Sequence, residues 1–183
     1  FAARSLTETS AYWNALIESY VYRDLLMAVP KNPRPELALS ILKAIAEILA
    51  LGELPTFARI LKKAGGSRPM LERHVFGLED MMIIHRVQHL GSSRTKDIFM
   101  PFDSAFFLTL LRLDSPLHDA AIHMACMHIN FINEALAQAQ AADRALNLQY
   151  AASPGGEVIH LITQDAKGRH VFWKISEEPV PQA

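Results

Sequence analysis

Residues 36 to 51 constrain the fold more than any other stretch. Leu39, Ile41, Leu42, Ile45, Ile48 and Leu49 recur at helical spacing and form a broad apolar stripe. Gly52 follows as a natural terminator. The window Ile41 to Leu51 comes nearest to a membrane span, but it is short and carries Lys43 and Glu47. A span needs roughly 18 uninterrupted apolar residues, so the stripe belongs to a core. With 183 residues, half of them apolar and a fifth charged, the chain has the makeup of one ordinary domain or two small ones sharing a boundary. Such a makeup excludes a disordered tail, a collagen-like fibre and a disulfide-stapled miniprotein. A single cysteine, Cys126, allows no internal disulfide and fits a reducing cytoplasm, the expected location. No signal peptide is visible. The chain begins at Phe1 rather than at methionine, which reads as a piece of something longer.

The other elements follow from spacing and punctuation. Residues 5 to 29 read as one helix, with Trp13, Leu16, Ile17, Tyr20 and Leu25 or Leu26 on its apolar side. Pro30, Pro33 and Pro35 end it and mark a boundary. Thr56 reads as the cap of a short helix, 57 to 63, and Gly65-Gly66 turns the chain. Ser67 reads as the cap of a third helix, running to Asp80, with Pro69 in its first turn and Leu71, Phe76 and Leu78 pointing inward. Residues 81 to 87 and 97 to 102 make a hairpin across the polar turn 91 to 96. Residues 104 to 113 are helical, Ser115-Pro116 breaks the pattern, and a long alanine-rich helix runs from 117 to 142. Residues 146 to 151, 158 to 163 and 170 to 175 then read as an antiparallel meander, separated by Ser153-Pro154-Gly155-Gly156 and Asp165-Ala166-Lys167-Gly168. The tail, 177 to 181, reads as unstructured. The expected fold is α+β: a leading helix, a winged helix-turn-helix, then helices packed on a small antiparallel sheet. The expected divisions are 1–35, 36–103 and 104–183.

Helix, helix, Gly-bearing turn, helix, hairpin is the order of a winged helix-turn-helix. Residues 56 to 96 carry eight Lys or Arg against three acids, a net +5, while the rest of the chain is −6. A segregated basic surface is what phosphate binding requires, because neutralising phosphates releases counterions. On this reading Arg59, Lys62, Lys63, Ser67, Arg68, Arg73, Arg94 and Lys96 are the DNA-binding candidates. Ser67, Arg68, Glu72 and Arg73 would face a major groove, and Arg94 and Lys96 on the wing would touch backbone. The competing reading is a solvated face on a protein-interaction winged helix, since the third helix offers no Asn or Gln for base readout.

Three stretches together resemble the C-terminal region of prokaryotic AAA+-like P-loop ATPases. They are WNALIESYVYRDL from Trp13 to Leu25, GELPTFARILKKAGGSRPMLERHVFGLEDMMIIHRV from Gly52 to Val87, and Asp97 to Phe107. In that family an ATPase module is followed by a helix, a winged helix and a domain similar to PD-(D/E)XK nucleases. The resemblance implies a preceding ATPase module in the same polypeptide as a partner, with residues 1–35 as the linker leaving it. This chain itself has no Gly-x-x-x-x-Gly-Lys-Ser/Thr loop, so it cannot hydrolyse ATP alone.

The resemblance also implies where nuclease residues would lie. Such a site needs a helix carboxylate, an Asp on one strand and Glu-x-Lys on the next, with a divalent ion between them. Glu134 stands at the first position, His160 at the Asp, Phe172 at the Glu and Lys174 at the Lys. Two acids are missing, and Glu157 is aimed differently by strand alternation. The implied domain is therefore degenerate, with no catalytic residue, metal or cofactor. The expected function is a non-catalytic accessory domain of an ATPase, presenting a basic winged-helix surface to duplex DNA or a partner protein. The alternatives are a metal-dependent nuclease with an altered site and a pure subunit-docking module. No membrane partner is expected. Asp119, His123 and Cys126 or Met127 share a helix face and have metal-ligand chemistry, but read more simply as packing and a polar edge. Ser115, His118 and Asp119 form a triad only on paper. Arg23-Asp24 reads as a structural ion pair, and Phe99, Phe102, Phe106 and Phe107 as core.

Overall fold

The computed structural model describes residues 6–29, 33–90, 96–113, 119–141, 148–152, 159–164 and 170–174. The leading segment is α1 (Leu6–Ser19), a π-helical turn (Tyr20–Asp24) and a last turn, α2 (Leu25–Ala28). This differs from the uninterrupted helix expected. Ile17, Val21, Leu25 and Val29 are all buried and are spaced by four. Each four-residue step in an α-helix rotates the side chain by about 40°. The wider π turn takes up part of that rotation and keeps all four on the core side. Arg23 and Asp24 pair at 2.8 Å on the surface of that turn.

The apolar stripe becomes α3 (Pro35–Ala50), with eight buried residues from Ala38 to Leu49. Its start is held by a side chain sequence alone does not point to. The backbone N–H of Arg34 donates to Nε2 of the fully buried His74 at 2.9 Å, and His74 Nδ1 donates to the Met70 carbonyl at 2.8 Å. His74 belongs to α5 (Arg68–Asp80), which follows α4 (Phe57–Ala64) across a turn where Gly65 and Gly66 have positive φ. Thr56 and Ser67 occupy the cap positions in extended conformation, but neither side chain makes the expected capping bond. Leu71, Val75 and Leu78 of α5 enter the core, whereas Phe76 is 40 % exposed. It lies one residue, about 100°, beyond the core-facing Val75, which corrects its expected inward direction.

The hairpin forms from β1 (Ile84–His89) and β2 (Ile98–Pro101), and Thr56 adds a bridge to Ile98. Next come α6 (Ser104–Leu111) and α7 (Ala120–Ala141). Each is capped by an aspartate. Asp103 accepts from the N–H groups of Ala105 and Phe106, and Asp119 from those of Ala121 and Ile122. Strands β3 (Gln149–Ala152), β4 (Ile159–Gln164) and β5 (His170–Lys174) form the expected antiparallel meander. The turns read at 91–95, 153–156 and 165–168, and the tail, lie outside the described residues.

The architecture is α+β, with the helices packed on one five-stranded sheet of order β2-β1-β3-β4-β5. The sheet is mixed, not wholly antiparallel: β1 and β3 run parallel, with Gln88 opposite Gln149 and His89 opposite Tyr150. A parallel pair needs a long crossover, and the chain between β2 and β3 supplies it through α6 and α7. One apolar cluster runs from Ile17 to Tyr150 and includes residues from all three segments drawn from the sequence. Phe99, Phe106 and Phe107 are buried in it, Phe102 is half-buried, and Trp13 packs edge-on against Phe102 and Phe106. No helix among the described residues is long and apolar enough to cross a membrane.

Two histidines bring polar groups to this core, His85 half-buried and His128 buried. His85 of β1 donates to Asn133 of α7 at 3.3 Å, and Asn133 donates to the Phe102 carbonyl. His128 of α7 is buried with Nε2 lacking a partner among the described residues. Burial pushes both histidines below the ordinary imidazole range, against a bond to Asn133 in one case and to the Met124 backbone in the other. Depressed folded-state values mean that the unfolded chain binds more protons below about pH 6.5. Stability is therefore full above pH 6.5 and is lost as pH falls through the folded values. Urea titrations at pH 7.5, 6.5 and 5.5 are expected to give falling midpoints, and His128→Leu is expected to flatten the fall.

Gly77 packs closely against the end of α2. A Cβ there would lie 2.5 Å from Val29 Cγ2, where α5 meets the end of α2. Helix propensity alone favours Gly77→Ala by about 1 kcal/mol. The clash is expected to reverse that sign and leave a net loss of about 1–3 kcal/mol, read from chemical denaturation.

Candidate functional site

The segment that carries the basic residues folds into α4, α5 and the β1–β2 hairpin, and these enclose a cleft of about 360 Å³. Its apolar lining comes from Phe57 and Leu61 on α4, Phe76 on α5 and Phe99 on β2. The spacing of Phe57 and Leu61 puts both on one side of α4, while Ile60 enters the core. Phe76 is left at the surface for the reason given above. The cleft is thus lined by the half-buried Phe57 and Leu61 and the exposed Phe76, with the core residue Phe99 as its floor.

Arginines border the cleft, and each is held by two contacts. Arg68 bonds Glu72 one helical turn on, at 2.9 Å, and lies over the Phe57 ring at 5.9 Å. Arg86 bonds Glu79 at 3.1 Å and lies over the Phe76 ring at 5.7 Å. A guanidinium on an aromatic face and beside a carboxylate is doubly fixed. Burial pushes the Glu79 carboxyl above its usual range, and the Arg86 charge opposes part of that rise. Asp97, buried, also lines the cleft and accepts the His89 backbone N–H at 3.2 Å.

The other DNA-binding candidates are dispersed in their partners. Arg59 pairs with Glu53 at 3.3 Å and donates to the Leu54 carbonyl at 3.1 Å. Lys63 pairs with Glu47 at 2.7 Å. Lys62, Ser67, Arg73 and Lys96 are exposed. Arg94 lies outside the described residues. Glu47 and Glu53 come from outside residues 56 to 96, so the +5 counted along the chain is offset in space. Exposed ion pairs add little stability, but they lower the positive field that a phosphate would meet.

The nuclease positions do not assemble around a common acid cluster. Glu134 is exposed on α7 and accepts from Gln138 at 2.7 Å. His160 on β4 stands opposite Lys174 on β5, and Phe172 stands opposite Ile162. Glu157 lies outside the described residues. Among the described residues no three His, Cys, Asp or Glu side chains come together to hold a metal. Asp119 is occupied as the α7 cap, and Cys126 is buried, its thiol pushed up to about 11 by burial. Ser115 and His118 lie outside the described residues. The aromatic cleft leaves little trace along the sequence. The one available signal is Phe57 and Leu61 four apart, because the remaining lining comes from distant elements.

No known family's sequence profile, no curated protein and no solved structure matches this chain.

Proposed function

We propose that this chain is a non-catalytic accessory module of a prokaryotic AAA+-like ATPase, and that it docks a partner protein through the cleft between α4, α5 and the hairpin. The observation that carries the reading is the character of the cleft. Its lining is aromatic and aliphatic, and its arginines are already bound to carboxylates and ring faces. An apolar recess with a polar, internally balanced rim matches the anatomy of a protein interface core. Nucleic acid would instead need unengaged cations directed at phosphates. The order of α3, α4, α5 and the hairpin supports a winged-helix description. The ATPase setting rests on the sequence resemblance. Asp103 caps α6 in the last of the three resembling stretches.

Duplex DNA is the second reading, supported by the exposed Lys62 and Lys96 at either side of the same segment. The nuclease alternative draws support from Glu134 and Lys174 alone.

The test places a photo-crosslinking benzoylphenylalanine at the exposed, cleft-lining Ala58 in the protein as its own gene encodes it. A discrete protein–protein adduct, mapped to one partner, is expected. Phe76→Glu puts a charge where an apolar group would be buried, a cost of at least about 1 kcal/mol. It is expected to reduce the adduct about fivefold. An adduct indifferent to Phe76→Glu, or one formed with nucleic acid alone, would contradict the proposal.

A further inference from the structure

A second cleft, of about 560 Å³, lies between α1, α3 and α6 and shares no lining residue with the first. It is independent of the docking face. Lys43 of α3 and Arg112, just past α6, both line it, both are exposed, and neither has an ion-pair partner among the described residues. That sets them apart from Arg59, Lys63, Arg68 and Arg86, each of which is paired. Glu18 of α1 lines the same cleft and is likewise unpaired, so the three side chains sum to one positive charge.

Two backbone irregularities converge here. Tyr22, in the cleft wall, belongs to the π-helical turn. Arg112 is held in the left-handed region at φ 57° and ψ 41°, where glycine is the usual residue. Its N–H caps α6 by bonding the Leu108 and Thr109 carbonyls. Any residue but proline could supply that N–H, and glycine would do so without strain. π turns and left-handed non-glycine residues concentrate at functional sites. The apolar part of the lining includes Leu39, Leu110 and Leu113.

We propose that this cleft binds an organic monoanion, a carboxylate carried on an apolar body. Lys43 and Arg112 take the carboxylate, and Leu39, Leu110 and Leu113 take the body. The single net positive charge, with Glu18 present, selects a monoanion over a multiply charged phosphate. The volume is that of a small-molecule site.

The probe is octanoate, titrated into the isotope-labelled full chain and followed by backbone amide shifts. Octanol carries a similar body without the charge, and inorganic phosphate carries charge without the body. Saturable millimolar binding of octanoate is expected at the amides around Lys43 and Arg112, with octanol and phosphate each at least fivefold weaker. Lys43→Ala is expected to weaken octanoate about fivefold. Arg112→Gly is the more telling variant: it is expected to raise the melting temperature, by relieving the left-handed strain, while weakening octanoate by a similar factor. Octanol or phosphate binding as tightly as octanoate would overturn the proposal. So would octanoate binding unchanged in both variants, or shifts that never saturate.

Discussion

Helix α3 is apolar around most of its circumference, and the rest of the chain is arranged to keep it out of water. Ile41, Leu42 and Ile45 are essentially without solvent contact. Burying each is worth on the order of 1.5–3 kcal/mol relative to exposure. Helices α4 to α7, strand β2 and the π turn all pack against α3. The His74 link then fixes where it begins relative to α5. A histidine accepting the Arg34 N–H and donating to Met70 leaves neither ring nitrogen unsatisfied inside the core. The core-facing residues Ile60, Leu71, Val75 and Leu78 set the rotation of α4 and α5. That rotation puts Phe57 and Phe76 beside the hairpin, so the cleft is a consequence of how α3 is covered.

Charge along the chain and charge in space lead to different conclusions about the same residues. Along the chain, residues 56 to 96 are strongly basic. In space, Arg59, Lys63, Arg68 and Arg86 each meet a carboxylate. Arg86–Glu79 is half-buried, and the other three pairs are exposed, so they are screened and individually weak. Their effect is on the surface potential and on side-chain freedom. An arginine lying on a ring and bonded to Glu must break both contacts to reach a base edge. Lys43 and Arg112, without an ion-pair partner among the described residues, stand at a different cleft, outside the segment that linear charge counting marks.

Elements with strong local signals were legible in the sequence. The α3 stripe, the Gly65-Gly66 turn, the first turn of α5 with Pro69, and the three closing strands all carry their own punctuation. What was not legible depends on partners far along the chain. The parallel pairing of β1 with β3 is invisible to local alternation, because register between separated strands is set by the crossover. Phe76 reads as core by its type, yet Val75 takes that place. Thr56 and Ser67 have the residue types of caps but not the capping bonds, while Asp103 and Asp119 supply them for α6 and α7. The candidate site was half legible. Its arginines are visible in the sequence, but their acidic and aromatic partners are not, and those partners decide what the surface can bind.

On the proposed reading this surface is an apolar docking recess whose bordering arginines, Arg68 and Arg86, are already engaged. Fluorescence anisotropy of a labelled duplex, titrated with the chain at two salt concentrations, tests it most directly. Weak binding with a shallow salt dependence, unchanged by Arg68→Ala with Arg73→Ala, is expected. Each neutralised phosphate would contribute a slope of about −0.9 to log affinity against log salt. A slope equivalent to several phosphates, reduced by those two substitutions, would contradict the account and make the surface a nucleic-acid interface.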